Sequence, residues 1–282
     1  MAGERQEYDG YRALAYVYDR LNAQVDYEAM ADFAQACFET YLPQSPTLVL
    51  DLACGTGSLT FALARRGYDM IGVDGSEDML TVALDRRAEL GLPGVLFLKQ
   101  DMREFELYGT VGAITCALDS VNYLLTAEDV RACFACAHNY LDPDGLFLFD
   151  VNTPYKFSHI YSDNAYVLED TLPDDGGTDS RTDGELGRGA ERGGRNVFCG
   201  WQNDFDAESG RCLFRLSLFE ETEDGRYERA DEEQEEQCYD RQTLEALLTG
   251  TGFEVLGCFG DLHFGAPDER TPRWYFVARC KK

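Results

Sequence analysis

Residues 48–74, LVLDLACGTGSLTFALARRGYDMIGVD, constrain the fold more than any other stretch of the chain. An apolar run reaching Asp51 enters a turn containing Gly55 and Gly57, a helical pattern follows as far as Gly67, and a second apolar run ends at Asp74. A strand that turns so tightly into a helix needs backbone freedom and no side chain against a ligand, which glycine supplies. Two apolar strands joined through a helix read as a βαβ unit, the building block of a parallel sheet.

The alternation continues down the chain. Strands are predicted at 47–52, 69–74, 95–99, 111–117 and 145–151, with helices at 57–66, 76–90 and 126–141. The last of these opens on the capping box TAED, and two further helices near 11–21 and 26–42 precede the first strand. After Asp150 the pattern changes. Residues 170–196 are rich in Gly, Asp and Arg without apolar periodicity, which predicts a mobile loop. Three strands at 196–206, 211–222 and 226–239, joined by turns at AESG and EDG, then predict an antiparallel meander. The βα pattern resumes with a helix at 241–250 and strands near 253–259 and 274–280. The expected fold is α/β, a Rossmann-like doubly wound domain formed by 1–157 and 241–282. Residues 158–240 are expected as an antiparallel β insertion after the fifth strand.

Composition narrows the function classes. With 282 residues, 44% of them hydrophobic, the chain can bury a large core. No stretch approaches the roughly 20 apolar residues of a membrane span, and MAGERQEYDGYRAL lacks a signal-peptide pattern, so a cytoplasmic location without membrane partners is expected. Ten irregularly spaced cysteines read as reduced thiols. Cys133 and Cys136, with His138, have a spacing that would suit a metal, but the same spacing puts the two thiols on one helix face toward the core, and no metal is expected. The 52 acids and 25 Lys+Arg leave a net charge of −27, which repels phosphate backbones and argues against nucleic acid as a partner. Residues 158–240 hold 23 acids and 8 bases, −15 of that total. The acidic run Asp231–Glu236 reads as a solvated strand face that blunts edge pairing, with a partner-binding patch as the alternative.

The glycine turn sets the ligand class. Asp74 ends the second strand nineteen residues after Gly55, where a carboxylate can accept hydrogen bonds from ribose hydroxyls. A lone G-x-G also occurs in dinucleotide enzymes, but Thr60 replaces the third glycine, and Asp51 just ahead of the turn would repel a pyrophosphate. An acid at that place suits a ligand carrying ammonium and sulfonium groups, as S-adenosylmethionine does.

The stretches VLDLACGTGSLT, GVDGSEDML, LKQDMREF, CALDSVNYL and YLDPDGLFLFDVNTPYKF together resemble a class I S-adenosylmethionine-dependent methyltransferase. The similarity covers about residues 5–157 and 240–282, and more closely the chain is similar to small bacterial methyltransferases of the type that includes the YqeM-like proteins and the aminosugar N-methyltransferases. The resemblance implies a seven-stranded sheet with S-adenosylmethionine at the carboxyl ends of its strands. It places Asp51, Ala53, Gly55 and Gly57 around the methionine part, Asp74 on the ribose, Gly75 and Met79 against the adenine, and Asp101 on the adenine amino group with Met102 beside the ring. The resemblance also implies that Leu118 and Asp119 lie close to the sulfonium and the acceptor mouth, and Tyr11 and Tyr18 resemble the family's N-terminal helix that folds over the cofactor, with core packing as their alternative.

Methyl transfer from a sulfonium mainly requires in-line alignment and exclusion of water. Where an amine or hydroxyl accepts the methyl, a base can take its proton, and Asp119, His159 and Tyr155 are the candidates. Asn152 and Arg273 are candidate contacts to the acceptor, Arg273 having pairing with the acidic insertion as its alternative. The insertion is a candidate lid or acceptor wall, with Phe198, Trp201, Phe214 and Tyr239 as its apolar lining or as simple packing. The leading expectation is methyl transfer to nitrogen or oxygen of a small molecule. A tRNA nucleoside methyltransferase, a non-catalytic S-adenosylmethionine-binding interaction module and an NAD-dependent oxidoreductase are the alternatives.

Overall fold

The computed structural model describes residue 15 and residues 18–162, 164–172, 195–222 and 224–282. Tyr11 and most of the 170–196 stretch lie outside the described residues. The strands are β1 (Leu48–Leu52), β2 (Asp69–Asp74), β3 (Leu96–Lys99), β4 (Val111–Cys116), β5 (Leu141–Asn152), β6 (Ala165–Leu172), β7 (Arg195–Asp206), β8 (Arg211–Glu221), β9 (Tyr227–Gln237), β10 (Phe253–Phe259) and β11 (Arg273–Cys280). The helices are α1 (Tyr18–Leu21), α2 (Tyr27–Tyr41), α3 (Ser58–Arg65), α4 (Glu77–Glu89), α5 (Ala127–Tyr140), α6 (Pro154–Lys156) and α7 (Arg241–Gly250). None of the described helices is long and apolar enough to cross a membrane.

Seven strands form one sheet in the order β10-β11-β5-β4-β1-β2-β3. β1 through β5 run parallel, while β11 lies antiparallel to both β5 and β10. Alternate strand residues enter opposite cores. Leu50 and Leu52 pack with Phe134, Leu244 and Leu248 of α5 and α7, whereas Val49 packs with Phe33, Phe38 and Phe61 of α2 and α3. Both faces are covered, as a parallel sheet requires. The order reverses at β1, which has β4 on one side and β2 on the other, so a crevice opens at the carboxyl ends of these strands.

Local chemistry sets the helix starts. Asp26 accepts from the Ala29 N–H at 2.8 Å, Ser76 from Met79 at 3.3 Å and Asp240 from Thr243 at 2.8 Å, each satisfying one amide that the first helical turn leaves unpaired. Cys133 is buried in the core below α5, and Cys136 donates to the Phe105 carbonyl at 3.0 Å.

A second, antiparallel sheet has the order β6-β7-β8-β9. Its fourth strand, β6, departs from the predicted three-stranded meander. Residues 165–167 are exposed, so the sequence shows no buried alternation there, and the strand exists because it pairs with β7. In β9 the acidic run is split by the two-residue period. Asp231, Glu233 and Glu235 face solvent and pair with Arg229, Arg215 and Arg211, while Gln234 and Glu236 turn inward and are buried. Three polar contacts hold β9 beside the main sheet. Asn122 Nδ2 donates to the Gln237 carbonyl at 2.9 Å, Tyr123 Oη donates to Gln234 Oε1 at 3.0 Å, and Asn152 Nδ2 donates to Glu236 Oε2 at 2.9 Å.

Candidate active site

The cleft at the carboxyl ends of β1, β2 and β4 has a volume of about 1730 Å3 and is closed on one side by β9 residues 230–235. It is built outward from the glycine turn. Ala53, Gly55 and Gly57 all have left-handed backbones, with φ of 56°, 53° and 80°. At Gly55 a Cβ would meet nothing within 4 Å, so the backbone there faces open space. At Gly57 a Cβ would lie 2.9 Å from Phe97 and 3.0 Å from Phe61, so this glycine is required by packing as well as by φ.

Two carboxylates organise the turn. Asp51 is almost completely buried and accepts from Thr60 Oγ1 at 2.5 Å and Thr115 Oγ1 at 2.8 Å. Burial pushes its pKa up to about 6 against the opposing hydroxyl bonds, and the nearby Asp74 charge adds to the rise. Thr60, which breaks the dinucleotide glycine pattern, is thus the partner that fixes Asp51. Asp74 spans the turn, accepting from the Gly55 N–H through Oδ2 and from the Ser76 N–H through Oδ1, both at 2.8 Å. The Gly75 N–H is a further donor to this carboxylate, which still has acceptor capacity for a ligand hydroxyl.

Farther along the cleft lie Gly75, Met79 and Met102. Asp101 also lines it, but both its oxygens accept from the Arg103 guanidinium, with Nε at 2.9 and 3.0 Å, so any adenine amino group shares this carboxylate with an arginine. Sequence reasoning missed Arg103, although it stands two residues away in LKQDMREF.

At the end of β4, Leu118 and Asp119 are consecutive left-handed residues, both with φ 55°. Two such non-glycine residues in a row are costly and need external support. Asp150, buried at the end of β5, supplies it by accepting the Leu118 N–H at 2.9 Å and the Asp119 N–H at 2.8 Å. Arg273 ion-pairs Asp119 at 2.6 Å and also pairs Asp150. Asn152 donates to Asp119 Oδ2 at 2.9 Å, and its Oδ1 accepts from Lys156 Nζ at 2.8 Å. Arg273 therefore pairs with acids at the ends of β4 and β5, and β9 contributes Glu236 through Asn152.

Tyr155 and His159 are not among the residues lining the cleft. Thr153 caps a short turn at Pro154–Lys156, and the chain continues as a π turn over Phe157–Tyr161. This coil sends Phe157 into the core of the small sheet and leaves His159 exposed, stacked on Tyr155 with ring centroids 4.7 Å apart. Arg273 and the fully buried Asn152 are likewise absent from the cleft lining.

At the opposite rim, Tyr18 and Tyr27 line the cleft, and Asp19 of α1 ties this edge to the glycine turn. Asp19 accepts from Thr56 Oγ1 at 2.7 Å, Ser58 Oγ at 3.2 Å and Arg86 Nη1 at 2.6 Å. The last is a contact across 67 residues that sequence spacing could not show.

The arrangement fits an amphiphilic cation. Asp51 and Asp74 bring two carboxylates to the cleft, and Gly55 leaves the backbone between them uncovered.

Comparison with known proteins agrees. Residues 49–145 match the model of a methyltransferase domain. A provisionally named methyltransferase of Geobacillus sp. (strain WCH70) is 32% identical over 269 residues, covering 95% of this chain and 99% of the relative. The crystal structure of an S-adenosylmethionine-dependent methyltransferase from Clostridium acetobutylicum superposes with a TM-score of 0.77 at 28% identity, covering 96% of this chain and 99% of that one. A dTDP-3-amino-3,4,6-trideoxy-alpha-D-glucopyranose N,N-dimethyltransferase of Streptomyces venezuelae is 33% identical over 169 residues, 59% of this chain and 67% of that protein.

Proposed function

The chain belongs to the S-adenosylmethionine-dependent methyltransferases, and from that premise we propose that it methylates nitrogen or oxygen of a small-molecule acceptor. The observation that carries this reading is the wall formed by β9. It stands against the end of β4 and borders the same cleft as Asp51 and Asp74, so an acceptor has to fit between a fixed sheet and the cofactor. The Streptomyces venezuelae relative, by its name, methylates the amine of a sugar, which supports an acceptor of that size. We read residues 158–240 as the acceptor-wall module and 1–157 with 241–282 as the cofactor-binding domain.

Bound S-adenosylmethionine supplies a methyl group already activated by its sulfonium. The residues then have three tasks. Asp51 balances the ammonium, with Ala53 and Gly57 shaping the turn around the methionine part. Asp74 holds the ribose, and Gly75, Met79, Asp101 and Met102 enclose the adenine. Leu118, Tyr18 and the β9 wall exclude water and align the acceptor, the main requirement of the reaction. Asp119 is the nearest of the three candidate bases to the cleft, since its neighbours Leu118 and Ser120 both line it. It is already hydrogen bonded to Arg273 and Asn152, which suits an orienting charge better than a proton acceptor.

The test is transfer of label from methyl-tritiated S-adenosylmethionine to three fractions of a cell extract. Label in the low-mass fraction is expected. Label in tRNA would favour a nucleoside acceptor, and binding without transfer to any fraction would favour a non-catalytic module.

A further inference from the structure

Leu118 and Asp119 hold a left-handed backbone that glycine would adopt without strain, yet neither is glycine. Residues kept in that region persist only where their surroundings over-determine them, and they gather where a side chain is needed at a fixed place. Here the surroundings are a buried charge. Asp150 is 2% exposed, and its oxygens are divided between the two strained residues, Oδ2 taking the Leu118 N–H at 2.9 Å and Oδ1 the Asp119 N–H at 2.8 Å. A buried carboxylate is itself unfavourable unless it is paired, and Arg273 of β11 supplies the counter-charge. A glycine pair at 118 and 119 would need neither the carboxylate nor the arginine.

The position of Asp150 in β5 fits a brace better than core packing. On its face of the strand Leu146 and Leu148 are apolar core residues, and polarity begins at Asp150, one residue beyond the Cys116↔Phe149 pairing that brings the end of β4 level with β5. Asn152 follows on the same face. Its Nδ2 donates to Asp119 Oδ2 at 2.9 Å and its backbone N–H donates to Asn122 Oδ1 at 2.9 Å. Within the turn, Ser120 Oγ donates to the Ala117 carbonyl at 2.7 Å and the Asn122 N–H to the Asp119 carbonyl at 2.7 Å. Ala117, Leu118 and Ser120 line the cleft, whereas Asp150 and Asn152 do not. The brace therefore stands behind the part of the cleft wall that this turn forms.

We propose that Asp150 is a positioning residue for methyl transfer, holding the turn after β4 so that Leu118 closes on the methyl group and the acceptor meets it in line. The inference rests on the methyl-transfer reading above, in which Leu118 borders the sulfonium. Asp150 touches neither cofactor nor acceptor and acts through two backbone amides. Alignment of this kind shows in rate before affinity, because the contacts assigned to Asp51 and Asp74 hold the cofactor independently of the turn.

The test compares the full chain with Asp150→Asn, which keeps the side chain's size but offers one acceptor oxygen, so one of the two N–H groups loses its partner. Each is titrated calorimetrically with S-adenosylhomocysteine. Each is also assayed, at saturating methyl-tritiated S-adenosylmethionine, for the rate of label transfer into whichever fraction of a cell extract the unmodified chain labels. The expected result is a rate at least about tenfold lower, with the S-adenosylhomocysteine dissociation constant changed by less than about threefold. An unchanged rate, or equal losses of rate and affinity, would overturn the proposal. A second measurement needs no variant. With S-adenosylmethionine isotopically labelled at its methyl carbon and bound to the unmodified chain, nuclear Overhauser contacts are expected from that methyl to the Leu118 side chain, and their absence would equally overturn the proposal. Failure of the methyl-transfer reading shows separately, as no S-adenosylmethionine binding by the unmodified chain or no label in any fraction, and it would take this inference with it.

Discussion

Asp119 and Glu236 share one amide: Asn152 Nδ2 lies 2.9 Å from Asp119 Oδ2 and 2.9 Å from Glu236 Oε2. Around them stand Arg273, Lys156 and Asp150. Two cations balance two carboxylates, so the cluster is neutral only when Glu236 holds its proton. Burial and the Asp119 charge both raise the Glu236 carboxyl well above its ordinary range. Burial would also raise Asp119, but Arg273 and Lys156 outweigh it and hold that carboxyl below its usual value. One acid from β9 and one from the turn after β4 thus meet at a single amide with their carboxyls shifted in opposite directions.

The cluster makes stability depend on pH in a stated direction. Glu236 binds its proton more tightly folded than unfolded, so its contribution is full below the ordinary carboxyl range and drains as pH rises above it. Asp119 has the opposite sign and loses its contribution as pH falls below that range. Glu236→Gln keeps a neutral donor toward Asp119 and an acceptor for Asn152. Melting temperatures measured from about pH 5 to 9 should decline more steeply for the unmodified chain than for Glu236→Gln. Parallel curves would show that Glu236 is already ionised.

Cofactor affinity should follow the ionisation of Asp51. In the free protein this carboxyl titrates at about 6, and only its ionised form balances an ammonium. Dissociation constants for S-adenosylmethionine should rise as pH drops below about 6. Asp51→Asn should weaken binding by roughly ten- to a hundredfold at neutral pH, the range of a hydrogen bond to a charged group, and remove that pH dependence. A pH-dependent variant would place the titrating group elsewhere.

Gly57→Ala should destabilise the chain by about 1–3 kcal/mol, because the new methyl meets Phe97 and Phe61 at a left-handed φ. Gly55→Ala meets only open space and carries φ strain alone, so its melting temperature should fall less while its cofactor affinity falls more. Thermal melts beside cofactor titrations separate the two effects, and a reversed order would contradict the packing assigned to Gly57.

Arg86→Met should loosen the rim together with the glycine turn, since Arg86 bonds both Asp19 of α1 and Thr56 between the two glycines. Arg86 Nη1 binds Asp19 at 2.6 Å, Ser58 Oγ at 2.8 Å and the Thr56 carbonyl at 3.1 Å, and Phe61 lies beneath its guanidinium. The expected outcome is about a three- to thirtyfold loss in cofactor affinity, with a faster off-rate in stopped flow. An unchanged off-rate would mean that α1 does not retain the ligand.

The features legible in the sequence are those written locally. The β1 turn, Asp51 and Asp74 follow from glycine spacing and from acids at the ends of apolar runs. Asp150 carried the same signal, an acid ending the fifth strand, yet its task of bracing Leu118 and Asp119 depends on a contact 31 and 32 residues away. Glu236 was hidden in an acidic run that reads as solvated, and only the two-residue period of β9, fixed by its pairing with β8, turns it inward. His159 followed a strand end closely in sequence, but the turn after Thr153 carries it to solvent. Proximity along the chain gives no direction once the backbone coils. β6 exists through pairing with β7 and left no apolar alternation to read.

Calorimetric titration of the full chain and of Asp74→Ala with S-adenosylmethionine, with NAD as the comparison ligand, tests the account most directly. Micromolar binding of S-adenosylmethionine, none of NAD, and at least tenfold weaker binding by Asp74→Ala is the predicted result. Binding of NAD, or an Asp74→Ala variant with unchanged affinity, would contradict the site built around Asp51, Gly55 and Asp74.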